Sequence, residues 1–568
     1  MLAFAMVTLS ACGTTVNVNV DTSDQKAESE EAQEQTKIET GEETGADGES
    51  VKHDHLPVYK LVSKYYYQDY SGKEKEDGAG DKLEGKEVYD GLNETIMLAE
   101  ESRDLYPELY KSLNDDAIAA IKKADSNANE MIETAQQDAD SSKSDGRPFI
   151  GPYTDYSRIS VKRADSKVLS FCQDYSSFTG GAHGMYGLTG STYDVATGKK
   201  LDITDIADVT EDLLIPVLKE KLLLQNEPEA YDDLDGKLAE YKLGVETKYN
   251  EETEEYVYGF DWYLDNEGIH FYFGPYEIAA YAVGATDVVI AYDEFPGKIK
   301  EEYLPEKNAG YIVTGDIPMN GSSWDDANDK SLHFVYETDD QEYSENDMWD
   351  CTSLTLKRDG KSATAEDEYF TYSYDKDYVK QYRVVTAGGK EYVYVCALSF
   401  NDYTDVIVFD ISDNDVKLVG VDSYHMVYAD SDTDYSGEFI MTDPDNIYLA
   451  NVCDILGTFS CYGRYVVGAN GMPEFADKDF KISWGSEEVK SLKDIKVTTL
   501  DENYAEQGEE TLPAGTHIMP ERTDMNTYLD CRLDDGKLIR LKYDSTDYPA
   551  RINGESVDDL FDNLMYAG

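Results

Sequence analysis

The sequence is short of positive charge. Its 568 residues include 50 Lys and Arg against 117 Asp and Glu, which gives a formal net charge of −67. Nucleic acids and anionic lipid headgroups are bound through basic residues that neutralise phosphates, so we expect neither as a partner. A cationic protein would instead be attracted and steered towards this chain. Solubility at a cell surface is the plainer interpretation of the same charge, and it stays open.

Motifs of common catalytic and cofactor sites are also missing. The chain has no GxSxG, no HExxH, no CxxC pair and no glycine pattern of a dinucleotide-binding fold. Of the seven histidines, only His53 and His55 lie close together in sequence. We therefore expect no metal, no cofactor and no catalytic residue. Paired carboxylates of a cell-wall hydrolase, placed in the β-rich second half, remain the alternative because 117 acids offer many pairs.

Cysteine is scarce, and its first occurrence is the most informative. Cys12 follows the apolar run MLAFAMVTLSA, and the order apolar stretch, small residues, cysteine is that of a bacterial lipobox. We predict that residues 1–12 are a lipoprotein signal and that Cys12 carries the lipid, on the extracytoplasmic face of a Gram-positive-type cell membrane. No Lys or Arg precedes Cys12, so we expect the true start to lie upstream. The remaining cysteines are scattered, and either disulfides or buried thiols are compatible with them: Cys172, Cys351, Cys396, Cys453, Cys461 and Cys531.

Residues 13–55 lack aromatic side chains and contain twelve acidic residues and three lysines. Such a segment has too little apolar surface to form a core and stays disordered. We interpret it as an acidic tether that holds the folded part of the chain away from the membrane.

The rest of the sequence predicts three folded regions. Residues 56–300 favour an α+β domain with helices on an antiparallel sheet, including a helical stretch from Leu92 to Gln137 that is interrupted at Pro107. Residues 301–485 show strand after strand with turns between them, which predicts an all-β region. Residues 486–568 predict a small β domain with a faint resemblance to bacterial SH3-like modules.

Tryptophan is rare, with 4 residues, whereas tyrosine is common, with 46. Tyrosine suits half-buried strand faces and also binding surfaces. One histidine, His183, stands in the glycine-rich stretch FTGGAHGMYG. We interpret this stretch as a turn between two strands, with His183 hydrogen-bonded to the turn; a role in ligand contact is the second interpretation, and catalysis the third. We expect four tyrosines to lie near His183 on the same sheet and to form an aromatic surface with it: Tyr186, Tyr272, Tyr276 and Tyr281.

Three segments together carry a resemblance to a known family. FTGGAHG, YDVATGKKLDITDI and GIHFYFGPYEIAAYAVGATDVVI resemble the extracytoplasmic domain shared by the lysozyme-sensing anti-sigma factor RsiV and the peptidoglycan deacetylase PdaC, over residues 56–300. The resemblance implies a surface domain that binds lysozyme, a basic protein, or acts at the cell wall. It does not imply deacetylation, since the metal-binding His-x-x-x-His set is absent outside this region. Together these features predict a lipid-anchored, non-catalytic protein that recognises a lysozyme-like cationic protein or a cell-wall glycan. A scaffold without a ligand is the third class.

Overall fold

The computed structural model describes residues 56–70, 86–231, 233–250, 255–321, 329–338, 350–366, 372–373, 379–398, 403–425, 427–429, 436–484, 489–546 and 548–566. The predicted lipid-attachment residue Cys12 and the predicted tether, residues 13–55, lie outside the described residues.

The N-terminal region begins with five strands and one long helix. The strands are β1 (Tyr59–Asp69), β2 (Glu87–Leu98), β3 (Tyr153–Ala164), β4 (Val168–Phe178) and β5 (Met185–Asp194), and the helix is α1 (Pro107–Asp145). β1 pairs antiparallel with β2, β2 pairs parallel with β3, and β3, β4 and β5 follow as an antiparallel meander. A strand-to-strand connection that is parallel needs a crossover, and α1 supplies it between β2 and β3.

Helix α1 packs on this sheet through small and apolar residues. Its buried side chains include Leu109, Leu113 and Ile121 in the first half and Ala128, Ala135 and Ala139 in the second. Alanine lets the helix approach the strands closely, and Gly146 ends it in the left-handed conformation, at φ 67°.

The prediction of a helical stretch from Leu92 that is interrupted at Pro107 was wrong. The stretch from Leu92 to Leu98 is the end of β2, and Pro107 begins the helix instead of interrupting it, because Pro is well tolerated in the first turn.

A second group of short elements completes the first half of the chain. They are α2 (Ile203–Ile206), α3 (Glu211–Gln225), α4 (Leu234–Glu240), β6 (Tyr241–Lys242), β7 (Lys248–Asn250), β8 (Glu255–Gly259), β9 (Asp261–Leu264), β10 (Gly268–Phe273) and β11 (Thr286–Ala291). β9, β10 and β11 form an antiparallel sheet around a separate core that contains Leu214, Leu218, Phe271 and Ile290. This small sheet packs against β4 and β5, where the amide of Leu264 donates to the Ser170 hydroxyl at 2.9 Å.

The second half is built from strands, as predicted. Its first part contains β12 (Tyr311–Thr314), β13 (Met319–Gly321), β14 (His333–Thr338), β15 (Asp350–Arg358), β16 (Lys361–Glu366), β17 (Tyr372–Ser373), β18 (Lys380–Val385), β19 (Glu391–Leu398), β20 (Thr404–Asp410), β21 (Lys417–Tyr424), β22 (Val427–Ala429) and β23 (Ser436–Phe439). Its last part contains β24 (Ile447–Cys453), β25 (Phe459–Val467), β26 (Pro473–Phe475), β27 (Phe480–Trp484), β28 (Lys490–Ser491), β29 (Ile495–Leu500), β30 (Glu506–Leu512), β31 (Ile518–Thr523), β32 (Tyr528–Leu533), β33 (Leu538–Asp544), β34 (Arg551–Ile552), β35 (Glu555–Ser556), α5 (Val557–Leu560) and β36 (Phe561–Asp562).

Two sheets draw strands from both sides of a predicted boundary. In the first sheet, ordered β22-β23-β1-β2-β3-β4-β5, β23 from the second half pairs with β1. In another sheet, β24, β25 and β27 are continuous with β29 to β33. The α+β and all-β character of the two halves is confirmed, whereas a separate SH3-like domain over residues 486–568 is not. The predicted divisions at residues 300 and 485 stay predictions.

Candidate aromatic binding site

The stretch around His183 is a loop between two strands, as the glycines predict. β4 and β5 pair up to Ser177 and Met185, which leaves residues 179–184 to connect them. Gly180 adopts φ +77°, and a Cβ atom there would lie 3.0 Å from the carbonyl oxygen of Ile150. A glycine is therefore required at this position both for its backbone conformation and for space.

The imidazole of His183 is exposed, and one edge of it is tied to the loop. Its Nδ1 lies 3.0 Å from the carbonyl oxygen of Gly184. A carbonyl oxygen only accepts, so Nδ1 carries the hydrogen of this bond, and in the neutral ring Nε2 is an acceptor. The Tyr276 hydroxyl lies 3.4 Å from Nε2, a long contact that leaves room for a stronger donor.

Three tyrosines surround His183. Its ring stacks on Tyr281 with centroids 4.0 Å apart, and the hydroxyl of Tyr281 donates to the same Gly184 carbonyl at 3.0 Å. Tyr276 lies 5.3 Å from Tyr281, and Tyr186 meets Tyr281 edge-on at 6.1 Å. We call His183, Tyr186, Tyr276 and Tyr281 the aromatic patch. Loop 179–184 and strand β5 supply two of its members, and the segment between β10 and β11 supplies the others.

Tyr276 is held in an unusual conformation at the outer side of the patch. Its backbone has φ 72°, in the left-handed region, and its side chain is 54% exposed. A bulky residue rarely adopts positive φ, because its Cβ crowds the following carbonyl oxygen. Strained residues of this kind cluster at binding and catalytic sites, where the surrounding structure imposes the conformation. The exposed Tyr276 therefore makes the patch a candidate binding surface.

Tyr272, the remaining residue predicted for this surface, lies behind it. It is half-buried and packs against Cys172, Leu188 and Tyr263. Burial raises the pKa of Tyr272 well above its usual value, with the neighbouring Tyr175 and Tyr186 adding to the shift. Tyr272 is thus a support for the patch and presents little surface of its own.

Sequence reasoning missed Tyr175, which adjoins the patch. Tyr175 is directly opposite Gly187 in the β4–β5 ladder and is 45% exposed. A Cβ atom on Gly187 would lie 2.2 Å from the Tyr175 hydroxyl, so the ring covers the glycine. The signal was present in the sequence, because a hairpin closed around TGGAHG places residue 175 opposite residue 187.

Two carboxyl groups lie beneath the tyrosines, and they too were not predicted. Asp261 pairs with Tyr272 across β9 and β10, and Glu277 follows Tyr276. Burial, followed by the charge of Glu277, raises the pKa of Asp261 to about 7. Burial also raises the pKa of Glu277, which accepts a hydrogen bond of 2.9 Å from the Tyr241 hydroxyl. At neutral pH this region therefore carries less negative charge than its composition indicates.

A second histidine lies nearby in a fully different setting. His270 on β10 places Nδ1 3.0 Å from Asp287 and Nε2 2.9 Å from Asp265, and its ring stacks on Tyr263 at 4.4 Å. Burial alone lowers the pKa of His270, but the hydrogen bonds to both carboxylates outweigh it and raise the pKa to about 9. We call His270, Tyr263, Asp265 and Asp287 the His270 cluster; Tyr263 is buried, His270 and Asp265 are half-buried and Asp287 is exposed. Its polar groups face one another, which is typical of a structural element.

Metal and thiol chemistry find no support in the described part of the chain. No group of three or more His, Cys, Asp or Glu there is arranged to hold a metal ion. Six cysteines are buried free thiols, so the thiol alternative holds for them, and burial raises the pKa of each, for example Cys172 and Cys531. Thiolates are the reactive form, so these residues are poor nucleophiles. None of the described helices is both long and apolar enough to cross a membrane.

Comparison with known families divides the patch between two matches. Residues 94–186 match the family model described as deacetylase PdaC, and residues 207–293 match DUF3298, a family of proteins of unknown function. These matches confirm the predicted resemblance. His183 and Tyr186 belong to the first match, and Tyr276 and Tyr281 to the second, so the patch forms where the two regions meet.

Two solved structures are also similar. A DUF3298 family member from Bacteroides fragilis is 19% identical over 43% of this chain and 94% of its own, with a TM-score of 0.33. A DUF3298 family protein from Pseudomonas aeruginosa is 18% identical over 44% of this chain and 98% of its own, with a TM-score of 0.27. No protein with a curated function matches the chain significantly.

Proposed function

We propose that this protein is a lipid-anchored, extracytoplasmic binding protein that recognises a cationic protein of the lysozyme kind at the aromatic patch, without catalysis. The observation that carries the proposal is the cluster of exposed rings around His183, with Tyr276 held at φ 72° and 54% exposed. Tyrosine rings give large contact area at little conformational cost, and the partner's Lys and Arg can lie over their faces.

The location rests on separate support. The match of residues 94–186 to the deacetylase PdaC model favours a cell-wall-related extracytoplasmic domain. The lipobox pattern that ends at Cys12 favours attachment to the membrane through lipid. An acidic tether after Cys12 would then carry the binding domain into the wall.

Charge and contact play different parts in the proposed recognition. The net charge of −67 attracts a basic protein over a long range. The carboxyl groups under the patch, Asp261 and Glu277, are half-buried and have raised pKa values, so the patch itself offers rings more than charge. Salt should therefore slow association more than it speeds dissociation.

The test is a calorimetric titration of the protein with lysozyme at low and at moderate salt. Binding that weakens with salt but survives is expected, and the double variant Tyr276→Ala/Tyr281→Ala should lower the affinity at least tenfold, as for residues at the centre of an interface. Tyr65→Ala is the matched control, because Tyr65 is 51% exposed on β1, four strands from β5 and roughly 19 Å away. Binding that vanishes with salt, or that ignores the double variant, would reduce the interaction to non-specific charge attraction.

A cell-wall glycan is the second candidate for the same surface. Exposed tyrosine faces also stack on sugar rings. Nε2 of His183, which has only a long contact of 3.4 Å with the Tyr276 hydroxyl, can accept a hydrogen bond from a sugar hydroxyl. If lysozyme does not bind at low salt, peptidoglycan fragments are the next ligands to titrate. Loss of turbidity from a cell-wall suspension would instead favour the hydrolase alternative.

A further inference from the structure

A polar cleft lies along the outer edge of β5. Its volume is about 610 Å³, within the usual range for small-molecule sites. It is lined by residues 189–192 of β5, by residues 242–247 with Lys200, and by residues 259–262. β5 is the last strand of its sheet, and residues 199–201 use part of its outer edge, where the Leu201 amide donates to the Thr192 carbonyl at 2.7 Å.

Several side chains of this cleft have hydrogen-bonding capacity that the described residues do not use. The Thr189 and Ser191 hydroxyls, the Lys123 and Lys200 ammonium groups and the Asp261 carboxyl line the cleft. None of these five has a side-chain hydrogen bond or ion pair to another described residue. Polar groups in a cleft that lack protein partners are satisfied by water or by a ligand.

The charge of the cleft differs from that of the whole chain. Three lysines, Lys123, Lys200 and Lys242, face three acids, Asp202, Glu246 and Asp261. A cleft with as many bases as acids, in a chain that has 117 acids and 50 bases in all, is not built for a cation. Both donors and acceptors are present, together with the half-buried Trp262.

We propose that this cleft binds a short, uncharged saccharide. Sugar hydroxyls both donate and accept, so they fit a wall of ammonium, carboxyl and hydroxyl groups better than a purely donating or accepting ligand. Trp262 can pack against the apolar face of a sugar ring. The raised pKa of Asp261 lets its carboxyl act as a donor near neutral pH as well as an acceptor. This inference goes beyond the proposed function, because none of the four patch residues lines the cleft.

The experiment titrates the full chain with the linear trimers of N-acetylglucosamine and of glucose, by calorimetry. At least one trimer is expected to bind. Asp261→Ala should weaken that binding about tenfold, as expected for a lost hydrogen bond to an ionisable group. Thr189→Trp should abolish it, because the exposed Thr189 lies at the cleft wall and a large ring there fills the space. Circular dichroism confirms that both variants are folded.

The patch variant Tyr276→Ala/Tyr281→Ala separates the two proposals. It should bind the trimer like the unaltered protein, whereas lysozyme binding should be lost. Failure of both trimers to bind at millimolar concentration would overturn the cleft proposal and leave the patch proposal untouched. Trimer binding that survives Thr189→Trp, or that disappears in the patch variant, would also overturn it by placing the sugar elsewhere.

Discussion

Two histidine–tyrosine stacks lie close together in this protein and differ in almost every physical respect. His183 stacks on Tyr281 at 4.0 Å in the aromatic patch, and His270 stacks on Tyr263 at 4.4 Å in the His270 cluster. Both nitrogens of His270 face carboxylates at 3.0 Å or less. His183 faces a backbone carbonyl and a distant hydroxyl, and it is exposed.

The comparison contrasts a histidine held within the fold with one that is left accessible. The His270 cluster has a positive imidazolium between two negative groups, and its polar atoms are satisfied within the fold. The patch leaves ring faces and one imidazole nitrogen accessible, and it includes a residue with positive φ, whereas no member of the His270 cluster has one. The proposed ligand site rests on this unused bonding capacity combined with backbone strain.

Removing each histidine in turn should give the largest contrast. His270→Ala leaves Asp265 and Asp287 facing each other without a cation, so we expect a loss of about 3 kcal/mol in the free energy of unfolding. His183→Ala removes an exposed ring and should cost less than about 0.5 kcal/mol. Urea unfolding followed by circular dichroism measures both. In the lysozyme titration the order should reverse. His183→Ala should weaken the binding, whereas His270→Ala, where it is folded, should bind like the unaltered protein.

Equal loss of stability in the two variants would contradict the distinction. A stable His270→Ala variant with unchanged unfolding would mean that the two carboxylates take up protons or rearrange without cost. Asp287→Asn is the second probe, because it removes one charge and keeps the shape of the side chain.

The next largest effect is expected in the pH dependence of the free energy of unfolding, which should distinguish the His270 stack from the His183 stack. The pKa of His270 is raised to about 9, from its ordinary value of 6.5. Folding therefore favours the protonated form, so its contribution is fully present below about pH 6.5 and is lost as the pH rises through 9. The size is about 3 kcal/mol, at 1.36 kcal/mol per pKa unit. Unfolding free energies measured between pH 6 and 10 should fall in the native protein, and much less in His270→Gln.

The sequence could predict the loop that carries His183 because that information is local. Glycines around His183 specify a turn, and the hairpin they close fixes the register of β4 and β5. The prediction that the four tyrosines share one sheet with His183 was wrong, because Tyr276 and Tyr281 lie between β10 and β11, more than 90 residues from it, and β10 belongs to another sheet than β5. The His270 cluster escaped prediction because Asp265, His270 and Asp287 come together only after β9, β10 and β11 pair. The insertion of β23 beside β1 escaped for the same reason, since the residues that pair in these strands are more than 370 positions apart in the chain. Long-range pairing leaves no signature in the pattern of either strand.

A smaller effect is expected from Asp261, beneath the patch. Its pKa is raised to about 7 from 3.8, so the fold favours the protonated carboxyl. Its contribution is present below about pH 4 and is lost as the pH rises through 7. Asp261→Asn keeps a neutral group at every pH and should stabilise the protein by about 1–2 kcal/mol at pH 8, with little change at pH 4. Thermal unfolding at the two pH values checks the sign, and stabilisation that is equal at both would exclude a charge effect.

The smallest expected effect tests whether the patch stores backbone strain. Tyr276 has φ 72°. Tyr276→Ala removes the ring but keeps a Cβ atom in the left-handed region, whereas Tyr276→Gly removes both the ring and the steric conflict. The glycine variant should be more stable than the alanine variant by about 1 kcal/mol, although glycine loses more entropy on folding. Both variants should lose ligand binding equally, because both lack the ring. A glycine variant no more stable than the alanine variant would mean that the conformation at residue 276 is relaxed, and the patch would then be marked by its exposed rings alone.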